Sequence, residues 1–273
     1  MPSFNLLTVD GNPKVSKGAS VGVLTGVLHL LPATRYDELR VAQGLPRLGV
    51  NLCPFAGTCA APCLNTAGRG GIPQASFAGR AFVNNVEQGR YRRTHEYMTD
   101  RATFLARLIG ELGKLAAYAQ SLGMQPAARL NGTSDIHWAA RHPEVVRAAQ
   151  RLGVRLYDYT KRPVRYVENA PIHYTYSLDV GAAREAHALQ YLAAGGNVAV
   201  VFRGGLPETW NGFPVVDGDV TDVRYLDPRG VVVGLKAKGK AKTDTSGFVR
   251  DARPSSEPMT IGEWYNYTRE WSE

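Results

Sequence analysis

The feature that most limits the fold of this chain is a regular alternation of helical and extended segments through its middle. Apolar residues recur at helical spacing from Arg101 to Leu122, with Thr99 or Asp100 available as the N-cap and Gly123 suited to the helix exit. The segments predicted to follow are a strand over 127–130, a helix over 143–153, strands over 154–159 and 172–178, a helix over 182–194 and a strand over 197–202. Strands that alternate with helices form parallel βα units joined by right-handed crossovers.

Polar residues follow these strands at their carboxyl ends. In β/α barrels the loops that leave the carboxyl ends converge on one mouth, where active sites are built. We therefore predict an α/β fold, a (β/α) TIM-barrel-like fold in complete, incomplete or modified form. The residues expected to line the pocket at its mouth and to bind a cofactor there are Asn131, Thr133, Asp135, Asp158, Lys161, Ser177 and Asp179. The alternative is that polar residues simply mark where each strand meets a loop.

The terminal segments are expected to be β-rich, and no long linker separates them from the middle of the chain. The predicted elements are strands over 4–9 and 21–31 paired as a hairpin, a short apolar segment over 48–52 that suggests a strand, strands over 215–216 and 231–235, and a short final helix over 261–271. We therefore predict a single domain over residues 1–273.

The chain has only three cysteines, Cys53, Cys59 and Cys63, which lie in one segment with the spacing C-x5-C-x3-C. An odd number cannot pair fully in disulfides, and a chain of 273 residues buries enough core to fold without a metal. The clustering therefore predicts a functional metal site. Thiolates are the natural ligands of iron–sulfur clusters. We predict a [4Fe–4S] cluster on these three cysteines, with one iron left without a cysteine ligand.

Two alternatives to the iron–sulfur cluster stay open. A structural zinc site needs a fourth ligand, which His29, His95 or His137 would supply through space. The other alternative is three thiols that bind no metal. If the cluster is present, its open iron would bind water, an unknown small molecule or a side chain of the pocket. The basic run Arg90-Tyr-Arg-Arg93 would then raise the reduction potential of the cluster, contact phosphates, or lie on the solvated surface.

Four stretches of the chain resemble a phage-encoded protein family with a three-cysteine iron–sulfur motif, whose organisation is similar to that of radical S-adenosylmethionine enzymes. They are the Cys53 to Cys63 loop with its Leu-Asn extension, Arg129-Leu-Asn-Gly-Thr-Ser-Asp135, Tyr157-Asp-Tyr-Thr-Lys161 and Tyr174-Thr-Tyr-Ser-Leu-Asp179. The resemblance covers roughly residues 45–205 and implies a TIM-type barrel with a four-iron cluster at its mouth. S-adenosylmethionine is the cofactor it suggests, although those enzymes use C-x3-C-x2-C and a glycine-glycine-acidic motif that this chain does not show.

The charge and the hydropathy of the chain limit the kinds of partner that it can have. The net charge is +8, which favours acidic partners such as nucleic acid, phosphates or an anionic cofactor. A run of four lysines, Lys236-Ala-Lys-Gly-Lys-Ala-Lys242, adds to that charge but has no aromatic residues for base stacking. The chain shows neither a secretory signal nor an apolar run long enough to span a membrane. We expect a soluble protein without a membrane partner, acting in the cytoplasm of the host bacterium.

Two functions follow as hypotheses. The first is an enzyme that uses the open iron for redox or Lewis-acid chemistry on an unknown substrate, as an iron–sulfur oxidoreductase, a radical S-adenosylmethionine-like enzyme or an aconitase-like lyase. The second is a regulator in which the cluster senses redox state while the basic surface meets nucleic acid or a host protein. A structural zinc protein is the third alternative.

Overall fold

A computed structural model of the chain describes residues 2–9, 18–163 and 169–252. The described strands are β1 (Leu7–Thr8), β2 (Val23–Leu28), β3 (Gln125–Arg129), β4 (Arg155–Thr160), β5 (His173–Ser177), β6 (Val198–Arg203), β7 (Thr209–Trp210), β8 (Phe213–Asp217), β9 (Val232–Lys236) and β10 (Val249–Asp251). The described α-helices are α1 (Arg35–Val41), α2 (Asn85–Thr99), α3 (Arg101–Ser121), α4 (Trp138–Arg141), α5 (Pro143–Arg151) and α6 (Ala182–Ala193).

The strands form one mixed sheet in the order β1-β2-β3-β4-β5-β6-β9-β8-β7. The neighbours from β2 to β8 in that order run parallel, whereas β1 and β7 pair antiparallel at the two edges. Among the described residues the sheet is therefore mostly parallel and is not closed into a barrel. No described helix is long and apolar enough to cross a membrane.

The pairing between β5 and β6 is interrupted. Tyr176 and Ser177 of β5 pair with Val198 and Ala199 at the start of β6. Further along β6, the partner is β10, which pairs with residues 201–203. Strand β5 therefore ends at Ser177, the Leu178 amide makes one further hydrogen bond to the Ala199 carbonyl at 3.0 Å, and β10 pairs with the second half of β6.

The two faces of the sheet differ in polarity. The main apolar core lies between the sheet and the long helix α3, where Phe104, Leu108 and Leu112 are fully buried. The opposite face is lined by polar side chains that are also buried. There Arg129 forms an ion pair with Asp222, and its guanidinium lies 4.9 Å from the ring centre of Tyr159. One face therefore carries the main apolar packing, and the other combines a buried ionic network with a smaller apolar cluster that includes Val23 and Ala127.

The predicted alternation through the middle of the chain is confirmed. Helices α3, α5 and α6 and strands β3 to β6 match the predicted segments to within two residues at each end. The N-terminal pairing of β1 with β2 is antiparallel, as expected for a hairpin, although both strands are shorter than predicted. The predicted helix over 261–271 lies outside the described residues, and the single-domain assignment stays a prediction.

The strand suggested over 48–52 is wrong. This segment forms no regular strand, because the Asp37 carboxylate of α1 accepts hydrogen bonds from the amides of Leu48 and Val50 at 3.1 and 3.0 Å. Side-chain capture of these amides replaces sheet pairing. Helix α2 was not predicted, although Asn84 caps it by accepting a hydrogen bond from the Glu87 amide at 2.9 Å. An Asn followed by Glu three residues later is a signal for a helix start.

Glu111 of α3 tethers the N-terminal strand to the core. Its buried carboxylate accepts hydrogen bonds from the amides of Asn5, Leu6 and Leu7 at 2.8 to 3.1 Å. We expect Glu111→Ala to lower the free energy of unfolding by about 3 kcal/mol, because several buried amides lose a charged acceptor. Urea denaturation measures the change. Lys114→Ala, at an exposed position of the same helix, is the matched control and should change stability little. Equal stability of the two variants would contradict the tether.

Candidate functional site

The three cysteines lie on a loop between α1 and α2 that is built from tight turns. Its 3-10 turns are Thr58–Ala60, Leu64–Thr66 and Gly68–Gly71. Glycine is required at Gly71, because a Cβ atom there would overlap the carbonyl of Thr66. Cys53, Cys59 and Cys63 all lie on this compact backbone. Each of the three side chains is partly exposed, and none forms a disulfide bond.

Asp179 joins this loop to the carboxyl end of β5. Its carboxylate accepts hydrogen bonds from the Gly57 amide at 3.0 Å and from the Thr58 hydroxyl at 2.5 Å. The guanidinium of Arg184 donates to it at 3.0 Å. Burial by itself would raise the pKa of Asp179, but the Thr58 hydrogen bond and the charge of Lys161 outweigh it and hold the pKa at about 2. Asp179 is therefore an ionised anchor that holds the cysteine loop at the edge of the sheet.

Cys53 lies against the loop that follows β3, and Cys63 is held within its own loop. Cys53 lies with its Sγ 3.9 Å from the carbonyl of Thr133, in the loop that follows β3. The Sγ of Cys63 accepts a hydrogen bond from the Asn65 amide at 3.5 Å. Burial raises the pKa of Cys53 to about 12, and repulsion from the other two thiolates contributes to the rise. Burial likewise raises the pKa of Cys59 to about 11.

These thiols are protonated at neutral pH when they bind nothing. A metal binds the thiolate form, so metal binding at this loop would release protons. The thiols thus need a strong compensating charge to become ligands.

Positive charge stands next to the thiols. The Nζ atom of Lys161 donates to the hydroxyl of Ser177 at 3.1 Å and lies 3.8 Å from Asp179. Burial raises the pKa of Cys59 and Cys63, and the charge of Lys161 opposes that rise for both thiols. This lysine is therefore placed to stabilise thiolates at the loop.

Arg90 of α2 contributes a second cation. Its guanidinium donates to the backbone carbonyl of Asn65 at 2.8 Å and also to the side-chain amide oxygen of that residue. Its charge counters the burial that raises the pKa of Cys63. One arginine of the predicted basic run thus lies beside the cysteine loop, where it both braces the backbone and favours thiolate.

The seven predicted pocket residues divide into two groups. Lys161, Ser177 and Asp179 meet next to the cysteine loop, as described above. Thr133 contacts Cys53 through its carbonyl, while its hydroxyl donates to the carbonyl of Leu30. Thr133 therefore lies beside Cys53, and Asp179 holds the loop next to Lys161 and Ser177.

The other three predicted residues hold the strand ends together. The Asn131 side chain accepts hydrogen bonds from the Ile136 amide at 2.9 Å and the Trp138 indole at 3.2 Å. Asp158 is buried and accepts from the Asn131 amide at 3.1 Å. Asp135 accepts from the Thr160 hydroxyl at 2.8 Å. Asn131 and Asp158 are therefore occupied with the backbone, whereas Asp135 also borders a cleft beside the loop.

Two of the histidines considered as a fourth zinc ligand, His95 and His137, have other neighbours. His95 is hydrogen-bonded through its Nδ1 to the hydroxyl of Tyr36 at 2.7 Å. Burial lowers the pKa of His137, and the nearby Arg162 lowers it further. Within the described ranges, no three His, Cys, Asp or Glu side chains are arranged to hold one metal ion. In a cubane, by contrast, each thiolate binds a different iron atom.

Several neighbours of the thiols were not predicted from the sequence. Thr58 and Arg184 complete the Asp179 anchor, and the ring of Phe248 lies 4.9 Å from the Lys161 ammonium. Phe248 is distant in sequence and reaches the site because it directly precedes β10. Thr58 could have been predicted as a neighbour of the thiols, because it adjoins Cys59 in the sequence.

The fold and the site define an α/β protein with a three-thiol loop anchored at the carboxyl edge of a mostly parallel sheet. The family model described as gene product 88 matches residues 6–252 of the chain. The chain therefore belongs to the gene product 88 family, a phage protein family. The phage part of the predicted resemblance is supported, and the match gives no evidence of an iron–sulfur cluster or of radical S-adenosylmethionine enzymes. No curated protein and no solved structure matches the chain.

The Asp179 anchor can be tested without any cofactor. We expect Asp179→Asn to raise the hydrogen-exchange rate of the Gly57 amide by about tenfold or more, because a charged acceptor is replaced by a weaker neutral one. The control is Glu185→Gln on α6, whose ion pair with Arg250 lies away from the loop. Unchanged exchange at Gly57 in the Asp179 variant would show that the loop is held by other contacts.

Proposed function

We propose that Cys53, Cys59 and Cys63 hold a [4Fe–4S] cluster and that one iron is left without a cysteine ligand. The observation that carries the proposal is the position of the loop. The only three thiols of the chain lie on one loop, which Asp179 anchors and beside which the ammonium group of Lys161 pairs with that carboxylate. A cluster on three thiolates is anionic, so cations beside it stabilise the bound form.

The residues present fit such a cluster. The donors are all thiols, the soft ligands that iron–sulfur clusters take. Lys161 and Arg90 supply positive charge, and the backbone amide of Asn65 already donates to the Sγ of Cys63. Hydrogen bonds of this kind tune the reduction potential of a bound cluster. A structural zinc site has less support, because His95 is engaged with Tyr36.

We further propose that the sheet is a modified, incomplete (β/α) barrel. Five parallel strands from β2 to β6 follow in sequence order, with helices α3, α5 and α6 packed beside them. The strand ends carry the thiols' neighbours, as barrel strand ends carry active-site groups. The insertion of β10 beside β6 is the proposed modification.

The function that fits this site is enzymatic. When bound, the cluster would supply redox or Lewis-acid chemistry at its open iron. Lys161, whose ammonium group donates to Ser177 and to the carbonyl of Leu178, would supply positive charge beside the cluster, and Asp179 would hold the loop in place. Whether S-adenosylmethionine is that ligand stays a prediction. A reducing compartment such as the host bacterial cytoplasm keeps the thiols available.

The alternative of a nucleic-acid-binding regulator rests on the basic surface. Two lysines of the four-lysine run over 236–242 form ion pairs, Lys236 with Asp217 at 2.8 Å and Lys238 with Asp219 at 2.5 Å. These ion pairs reduce the charge available for phosphates. The enzyme therefore remains the better-supported proposal.

The cluster itself is tested by replacing each cysteine with alanine and purifying the protein anaerobically. We expect wild type to contain four iron and four sulfide per chain. Each alanine variant should lose the brown chromophore or hold it unstably, because two thiolates remain. Absorption spectra with iron and sulfide analysis measure both results.

Ser121→Ala, at the exposed end of α3 where the hydroxyl donates to the carbonyl of Tyr118, is the matched control and should retain the wild-type iron content. Colourless wild-type protein with one zinc per chain would refute the iron–sulfur proposal and support the zinc alternative.

Lys161 is expected to tune the bound cluster. Lys161→Met should lower the reduction potential by roughly tens of millivolts, because a positive charge that favours the reduced cluster is lost. Lys161→Arg should restore most of the shift, and Lys114→Met on α3 should leave the potential unchanged. Redox titration followed by electron paramagnetic resonance measures the shift. Equal reduction potentials in the Lys161→Met and wild-type proteins would show that Lys161 does not influence the cluster.

A further inference from the structure

A cleft of about 270 Å³ lies beside the cysteine loop but does not include a thiol. One wall is the 48–52 segment together with Pro54, and the other is formed by the start of α3 and the loop after β3. Its apolar lining comes from Leu52, Met98 and Ile136, among others. The cleft is therefore separate from the proposed cluster site, although the two share the backbone around Cys53.

Three arginines border this cleft, namely Arg101, Arg141 and Arg162, with a single carboxylate, Asp135. Three positive charges against one negative charge leave an excess of two. The Asp135 carboxylate is moreover engaged, since it accepts hydrogen bonds from the Thr160 hydroxyl at 2.8 Å and the Lys161 amide at 3.2 Å. The cleft thus combines an apolar wall with a net positive charge matched to a dianion.

Arg162 is held in a fixed position within the cleft. Its guanidinium donates to the backbone carbonyl of Asp135 at 2.9 Å and lies 4.9 Å from the ring centre of Phe55. Its Nε atom is buried and forms an ion pair with the Asp135 carboxylate at 3.9 Å. Arg162 therefore contributes a fixed positive charge to the wall of the cleft, next to the Asp135 carboxylate.

The other two arginines are exposed at the rim. Arg101 lies over the ring of Tyr97 at 4.8 Å and donates to the Tyr97 carbonyl at 3.3 Å. In the described part of the chain, neither Arg101 nor Arg141 forms an ion pair with a carboxylate. Their charges are therefore available to a ligand, and the guanidinium group matches phosphate oxygens well.

We propose that this cleft binds a small phosphate monoester, with the phosphate among the three arginines and an apolar body against Leu52, Met98 and Ile136. The doubly charged phosphate matches the charge excess of the cleft. The site does not depend on the cluster, since no cysteine lines it.

The test uses phenyl phosphate as the probe, titrated into the full-length protein at low salt by isothermal calorimetry. Wild type should bind it saturably, and binding should weaken as salt rises. The double variant Arg101→Gln, Arg141→Gln should bind about tenfold or more weakly, because two charged donors are lost. Arg147→Gln, at an exposed position on α5 outside the cleft, is the matched control and should bind as wild type does.

Three results with phenyl phosphate and benzyl alcohol would overturn the proposal. They are no saturable binding to wild type, equal affinity in the double variant, and binding of neutral benzyl alcohol as tight as that of phenyl phosphate. Tighter binding of phenylacetate would assign the cleft to carboxylates and would also overturn it. Circular-dichroism melting curves of each variant confirm that a loss of binding does not come from unfolding.

Discussion

The hydrogen bonds from the cysteine loop to Asp179 are the constraint on which the site depends. A loop of tight turns has little apolar surface with which to dock, so its position must be set by polar contacts. Asp179 provides them because it stands directly after β5, at the point where the chain leaves the sheet. Its low pKa means that the anchor is charged under all ordinary conditions, and charged acceptors hold amides more strongly than neutral ones.

The interruption of the sheet explains why such an anchor is available. Because β10 pairs with the second half of β6, residues after Ser177 need not continue the sheet. The same arrangement brings Phe248 against Lys161, so that the lysine is enclosed by Ser177, Asp179 and an aromatic ring. A distant part of the chain thereby completes the surroundings of a loop that precedes it by nearly two hundred residues. The way the strands pair therefore also determines which charged and aromatic groups lie around Lys161, next to the cysteine loop.

The sequence predicted the α/β alternation well, because helices such as α3 bury an apolar stripe with a clear period. It could not predict β10, since three residues carry no periodic signal, nor the loss of strand structure over 48–52, which depends on Asp37 capturing two amides. Asn131, Asp135 and Asp179 follow their strands as predicted, whereas Asp158 lies within β4, and the roles of these residues were not predicted. Asp158 turns toward the backbone of the neighbouring strand end while Asp179 turns toward the loop, and that difference depends on how the strands pack rather than on local pattern.

The central claim is that three thiolates bind iron and sulfide at this edge of the sheet. X-ray absorption at the iron edge of anaerobically purified protein tests it most directly, because the spectrum reports both the ligands and the neighbours of each iron. The account predicts a shell of sulfur scatterers and a second shell of iron scatterers, as in a cubane. Iron without iron neighbours, or a protein that contains zinc in place of iron, would contradict it.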